Sequence, residues 1–425
     1  MSMQAAVATA IFLIAYALIV QDKIHRTVVA LAGAVMVILT GVLTQNDAVK
    51  AVDYNTLGLL IGMMVIVGIT RKTGVFEYLA IWSAGKSGGE PIRIMLYLAT
   101  VTAVLSALLD NVTTVLLIVP VTFSIAERLQ VHPLPFLMAE VLASNIGGTS
   151  TLIGDPPNIM IGSATGLGFM DFVIALLPVI IVIHALTMWW LAVLYRKTLQ
   201  CEPSLKQAIM ELDPREEIRD PALLKKSLFV IGATILGFVL HQYLHLDSAT
   251  VAMTGAALLL FMTRVDPDVA FEAVEWSVIF FFIGLFIIVG GLEHTGVIEL
   301  VAQKALAITG GNLAVTGSLI LWLSAIASAF VDNIPFTATM IPLIQDMGRL
   351  GGMENITSLW WALSLGACLG GNGTLIGASA NIVVASMSEK RGVKISFMQF
   401  TKIAFPMMIM SIVVSHIYLW LRFFS

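Results

Sequence analysis

Three aspartates stand inside otherwise apolar stretches of this 425-residue chain: Asp110 in LLDNVTT (108–114), Asp155 in SNIGGTSTLIGDPPN (144–158) and Asp332 in FVDNIPFTAT (330–339). A fourth stretch of the same kind, GGNGTLIGASAN (370–381), carries no charge. Around them lie uncharged side chains that both donate and accept hydrogen bonds: Asn111, Thr113, Thr149, Ser150, Asn158, Asn333, Thr337, Asn372, Thr374 and Asn381. Gly148 and Gly373 bare the backbone beside them. A carboxylate at bilayer depth costs about 2.5–3.5 kcal/mol on insertion scales, so three of them imply a use. Asp110, Asp155 and Asp332 are candidates for carrying protons or coupling ions. The amides, hydroxyls and glycines are candidates for binding a small, oxygen-rich substrate.

The elements that must position these residues follow from composition. The chain is 58% hydrophobic and 12% charged, with a mean hydropathy of +0.94. Soluble domains run near a quarter charged, so a soluble enzyme is excluded. Cys201 and Cys368, the two cysteines, cannot make a disulfide framework. A net charge of −4 argues against nucleic-acid binding. Continuous rather than alternating apolar runs exclude a β-barrel. What remains is an all-α polytopic membrane protein with room for roughly ten to twelve spans at about 20 residues each. The stretch from Gln4 to Gln21 lacks a preceding basic residue and a small-residue cleavage site, so it reads as a first span rather than a cleaved signal.

The chain repeats itself. IGMMVIVGITRKTGVFEYLA (61–80) matches IGLFIIVGGLEHTGVIELVA (283–302) at an offset of 222 residues, which places Asp110-Asn111 on Asp332-Asn333 and Pro120 on Pro342. With one residue inserted, TLIG (151–154) falls on TLIG (374–377) and Asn158 on Asn381. Asp155 then falls on Ala378, so one half alone carries that charge. This makes Asp155 the favoured proton carrier; a cap or Asx turn for a half-helix starting near Asn158 is its other reading. The only long hydrophilic connection, 196–226, divides the chain into a first repeat, 1–195, and a second, 227–425.

With the N-terminus outside, all but four of the 23 Lys and Arg fall on one face, which the positive-inside rule makes cytoplasmic. The four are Lys50, Lys304, Arg349 and Arg422. The central loop is then cytoplasmic and both termini are outside. Each half crosses an odd number of times, so the repeats have inverted topology, a transporter architecture with its site near mid-membrane. The expected fold is two inverted repeats, each with five spans, one re-entrant helix hairpin and a broken helix. The hairpins are 92–126 and 314–345; the broken helices are 136–163 and 359–387. Asn111 and Asn333 are expected to cap the returning hairpin helices, with Pro335 in a first turn; the other reading is that Asp110 and Asp332 are the caps. Non-helical backbone at this depth is tolerated only where protein or a water-filled cavity satisfies it. Half-helix N-termini favour anionic or oxygen-rich ligands, and unwound carbonyls favour cations.

Other signals carry less. Gly85-Lys86-Ser87 is not a phosphate loop, because Ala80 stands where that motif needs glycine; it reads as a basic loop turn. The histidines have no metal-ligand spacing, and neither a fixed metal nor a cofactor is expected.

LLDNVTTVLLIVPVT, NIGGTSTLIGDPPNI, FVDNIPFTATMIPL and GACLGGNGTLIGASAN together resemble the ArsB / P-protein branch of the ion transporter superfamily. The resemblance runs from about residue 25 to the C-terminus. In the superfamily's dicarboxylate symporters a Ser-Asn-Thr signature sits at each hairpin tip; here those positions read Asp110-Asn111-Val112 and Asp332-Asn333-Ile334. The resemblance implies a secondary transporter of the cell inner membrane that exports arsenite or antimonite in exchange for protons. A sodium/proton antiporter and an anion (chloride) channel or exchanger are the alternatives within the superfamily. Two cysteines cannot build a three-thiol arsenic site, so arsenite would be held as neutral As(OH)₃ by hydrogen bonds. The expected partners are the small inorganic substrate, protons and the lipid bilayer. A homo-oligomer is compatible with the family, and any ATPase coupling would need a separate subunit. The resemblance also implies elevator-like movement of the hairpins and broken helices.

Overall fold

The computed structural model describes residues 2–21, 23–353 and 355–424; residues 1 and 425, the outer bounds of the two repeats, lie outside it. The first half runs α1 (Met3–Gln21), α2 (Arg26–Leu39), α3 (Gln45–Ala51), α4 (Tyr54–Arg71), α5 (Val75–Lys86), α6 (Pro91–Leu108), α7 (Asn111–Arg128), α8 (Leu134–Gly148), α9 (Pro156–Thr165) and α10 (Phe169–Tyr195). The connection holds α11 (Pro203–Met210) and a single 3₁₀ turn, Pro214–Glu217. The second half runs α12 (Pro221–Leu240), α13 (Ser248–Thr263), α14 (Pro267–Phe271), α15 (Trp276–His294), α16 (Val297–Thr309), α17 (Leu313–Phe330), α18 (Asn333–Gly351), α19 (Thr357–Gly370), α20 (Ser379–Lys390) and α21 (Phe397–Leu419). A terminal π turn, Trp420–Phe424, continues α21. Each helix from α1 to α10 has its counterpart among α12 to α21.

Among the described residues nine helices are long and apolar enough to cross a membrane, and α2, α8 and α13 are shorter apolar helices. Exposed Leu13, Ile14, Ile174, Ile181, Trp189, Phe229, Leu236 and Phe261 leave broad apolar surface on α1, α10, α12 and α13. In a bilayer such residues face lipid, where burial between helices has no hydrophobic advantage. Close packing of small residues drives association there instead.

That packing is visible where the halves interlock. α4 lies against α13, and α15 against α2. At the first crossing a side chain on Gly62 would stand 2.7 Å from the Ala252 backbone; at the second, one on Gly284 would stand 2.5 Å from Ala30. Gly62 and Ala30 are 222 residues before Gly284 and Ala252. The two crossings are therefore the same contact made twice, with the partners exchanged.

The breaks follow local chemistry. α6 ends at Leu108, and Asp110, in extended backbone, caps α7 by accepting from the Thr113 N–H at 2.8 Å. α17 ends at Phe330, and Asp332 caps α18 through the Ile334 N–H at 3.0 Å. The aspartates do the capping expected of Asn111 and Asn333, which become the first helical residues. The reason is that the extended residue is the one whose side chain can reach forward to the free amides. Gly148 and Gly370 end α8 and α19, and buried non-helical backbone follows to Asp155 and Ala378, where α9 and α20 start. Gly85-Lys86-Ser87 is not a loop turn: it is the last turn of α5 and its cap, and the left-handed glycines Gly88 and Gly89 follow. α5 and α16 each begin after a left-handed glycine, Gly74 and Gly296.

Candidate functional site

The first hairpin turn and the two broken helices meet at buried Asn145 of α8. Its amide nitrogen donates to Asn372 Oδ1 and Asn381 Oδ1, both at 2.9 Å, and its oxygen accepts from Asn111 Nδ2 at 3.1 Å. Four asparagines from both halves thus share one network. Asn111 Oδ1 is buried there without a hydrogen-bond partner. Leaving a buried acceptor unpaired costs about 1–3 kcal/mol, and a ligand donor removes that cost.

On the second half's side, Asp155 is fully buried. It sits at the N-cap position of α9, yet its side chain does not cap the helix. Its carboxylate accepts from Asn333 Nδ2 at 3.2 and 3.5 Å instead, which joins the first broken helix to the second hairpin. Among the described residues no Lys, Arg or His forms an ion pair with Asp155.

Two predicted ligand-binding asparagines brace the unwound backbone. Asn158 Nδ2 donates to the Thr149 and Thr151 carbonyls at 3.0 and 2.8 Å, and Asn381 Nδ2 donates to those of Gly371 and Thr374, both at 2.9 Å. Asn158 Oδ1 in turn accepts from Ser364 Oγ at 2.5 Å and lies 3.7 Å from Cys368 Sγ. Several predicted hydroxyl ligands also spend their protons on backbone. Thr149 donates to Asn145 O at 2.7 Å, Ser150 to Gly147 O at 2.6 Å and Thr337 to Asn333 O at 2.8 Å. Thr374 donates to Ala329 O. These hydroxyls keep only acceptor capacity. Gly148 and Gly373 serve close packing: a side chain on them would stand 2.4 Å from Gly154 O and 2.7 Å from Ala329 Cβ.

Asp332 differs from Asp110. Its second oxygen accepts from Arg26 Nη1 at 2.6 Å and from Ser379 Oγ at 2.9 Å, and the Arg26 guanidinium lies 5.0 Å from the Phe281 ring centre. Tyr16 adds a tie from α1 to α18 through the Pro335 carbonyl and Thr339 Oγ1. The residues 222 after Arg26 and 223 before Ser379 are Ser248 and Pro156, so neither matching position around Asp110 carries a cation.

Two vestibules approach from opposite ends of the repeat. One, of about 480 Å³, is lined by Gly68, Arg71, Lys72, Thr113, Arg219 and Glu275 among others, and reaches the first turn of α7. Its counterpart, of about 270 Å³, is lined by Gly290, Glu293, Asp53, Ser163, Ala338 and Gln345 among others. Gly68, Arg71 and Glu275 correspond to Gly290, Glu293 and Asp53. One mouth is therefore of mixed charge and rich in cations, and the other is acidic.

Sequence reasoning missed Asn145, Arg26, Ser364 and Ser379. Asn145 was inside a quoted motif and could have been found by asking which polar residue precedes the break. Arg26 gave no such signal, because its partner lies 306 residues away.

The comparisons with known proteins agree with this architecture. The sequence profile of a family described as "Citrate transporter" matches residues 16–366. An uncharacterized transporter of Mycobacterium bovis is 46% identical over 426 residues, which cover 98% of each chain. The human P protein is 35% identical over 499 residues, covering 98% of this chain and 60% of that protein. Among solved structures, the Neisseria gonorrhoeae MtrF, described as illuminating a class of antimetabolite efflux pumps, superposes with a TM-score of 0.64 at 12% identity. That match covers 100% of this chain and 96% of the other, and the likeness is one of fold.

Proposed function

The chain belongs to the citrate transporter (CitMHS) family of the ion transporter superfamily, and from that premise we propose that it exchanges protons carried by Asp155 for arsenite or antimonite held at the asparagine centre. It is a multi-pass secondary transporter, not an enzyme. The observation that carries the coupling is Asp155: fully buried, linking the halves through Asn333, and paired with no cationic side chain among the described residues. A proton or a cation is then the group that can neutralise it.

The substrate reading rests on charge and hydrogen bonding. Among the described residues Asp332 alone of Asp110, Asp155 and Asp332 pairs with a cation, Arg26. A multiply charged anion would meet net repulsion here. Neutral As(OH)₃ brings three hydroxyls, and Asn111 Oδ1 is a buried acceptor that lacks a donor. The same excess of carboxylates favours one second reading, sodium/proton antiport, with Asp155 as a cation ligand.

The repeats are proposed to be inverted, with hairpins α6–α7 and α17–α18 re-entrant and α8–α9 and α19–α20 as interrupted crossings. The cation-rich vestibule then opens to the cytoplasm in the inner membrane, with both termini outside. Arsenite accumulation in everted vesicles, with a proton gradient imposed and sodium varied, tests the reading. Accumulation that follows the gradient and ignores sodium is expected. A sodium requirement would replace the first reading by the second.

A further inference from the structure

Glu140 is the second fully buried carboxyl of the first broken helix, and no part of the coupling scheme uses it. It lies on α8 five residues before Asn145, about 7.5 Å along the axis toward the Arg128 end of α7. Its Oε1 bonds Thr122 Oγ1 of α7, and its Oε2 is buried without a partner. The hydrogen count is short. Thr122 has one proton, and its oxygen also lies 3.3 Å from the Ile118 carbonyl. If Glu140 carries a proton, it donates to Thr122 Oγ1 and frees the threonine proton for Ile118. If it is ionised, one proton must serve two acceptors while a buried charge goes uncompensated.

The elements packed around α8 supply no counter-charge. They carry Arg93 and Tyr97 on α6, Glu127 and Arg128 on α7, Asp171, His184 and Tyr195 on α10, and Cys368 on α19. Glu389 and Lys390 lie on α20, and Lys402, His416 and Tyr418 on α21. Among the described residues none of these forms a hydrogen bond or ion pair with Glu140.

The second half provides an internal control. Glu140 falls on Leu363 and Thr122 on Ile344, and both of these are fully buried as well. The packing of α7 on α8 is thus made once with a polar pair and once, as α18 on α19, with an apolar pair. The second half makes the same packing without a carboxyl.

We propose that Glu140 is a second proton-binding site of this transporter, holding its proton in this conformation and releasing it when α7 and α8 move apart. The inference rests on the proton-coupled reading for its role in transport, but not for the presence of the proton. Two measurements on the full chain in lipid vesicles separate them. Infrared difference spectra across a pH titration should show a protonated-carboxyl stretch that disappears in both Glu140→Gln and Glu140→Leu. An unchanged band in both variants overturns the site. Gradient-driven arsenite accumulation should fall in Glu140→Gln by about tenfold per pH unit of gradient, the worth of one coupled proton. Arsenite counterflow without a gradient should be retained. Wild-type accumulation in Glu140→Gln overturns the transport role alone, and absence of any proton response in the wild type overturns the coupling reading and that role together.

Discussion

The two broken helices share a backbone and differ in what they carry. Asp155 and Ala378 have nearly the same extended conformation, with φ −145° in both and ψ of 134° and 145°. Ser106 Oγ donates to the Ser144 carbonyl at 2.7 Å, and Ser328 Oγ to that of Ala367 at 2.6 Å. Gly147 and Gly370 allow the same close approach to Ala103 and Ala325. Yet the first break bears Glu140, Asn145 and Asp155 where the second bears Leu363, Cys368 and Ala378. The hairpin tips differ in the opposite sense, since among the described residues Asp332 has an ion pair and Asp110 has none. The difference teaches that the repeat supplies the shape of both breaks, whereas the buried carboxyls of the breaks come from the first half.

The sharpest way to break that comparison is to make the halves alike at Asp155. Asp155→Ala reproduces the second half's residue, and Asp155→Asn keeps the shape. Both should abolish gradient-driven transport in vesicles while the protein remains folded by circular dichroism. Wild-type accumulation in Asp155→Asn would mean the asymmetric charge does no coupling.

Removing Arg26 should be the next largest effect. Arg26→Ala strands Asp332 in a buried setting and should cost about 3–5 kcal/mol. Thermal unfolding in detergent would register this, and adding Asp332→Asn should restore most of the loss. A full loss that persists in the double variant would show that Arg26 acts through packing on Phe281 instead.

Gly284→Ala and Gly62→Ala test the exchanged crossings. Each puts a methyl group into backbone contact, and overpacking of this kind costs about 1–3 kcal/mol. Similar losses in both variants are expected, because the crossings are equivalent. A loss in one alone would show that the halves are held together unequally.

The smallest effect on stability is expected for Glu140→Leu together with Thr122→Ile, which copies the pair Leu363 and Ile344. Its melting temperature should match or exceed that of the wild type, since replacing a buried polar pair by apolar residues is often neutral or stabilising. Marked destabilisation would mean the polar pair holds α7 on α8.

Much of this molecule was legible before any coordinates, and the reasons are local. Apolar runs of span length, the glycines at 147–148 and 370–371, and the prolines at 156–157 constrain backbone within a few residues. The helix ends at Gly148 and Gly370 follow from them, whereas α9 starts at Pro156, two residues before the start expected near Asn158, because proline fits the first turn of a helix. The offset between the halves is likewise readable as text. Capping at both hairpin tips was open between neighbours, since Asp and Asn are both good caps, and the side-chain bonds to the Thr113 and Ile334 amides decide for Asp110 and Asp332.

Side-chain partners were a different matter. Composition marked Thr149, Ser150, Thr337 and Thr374 as ligands, but a hydroxyl near a helical or unwound carbonyl bonds it first. Asn158 was grouped with them and turned out to be a brace. Glu140 stood in an apolar run and met the same cost argument applied to the three aspartates; attention to charge outside the motifs would have found it. The sequence by itself determined that helices break at four places in two matched pairs, because breaking is a property of neighbouring residues. Only the tertiary structure decided that Asn145 gathers Asn111, Asn372 and Asn381, that Asn333 meets Asp155, and that Arg26 meets Asp332. Those contacts join residues as much as 306 positions apart, and their geometry is set by how the two halves interlock.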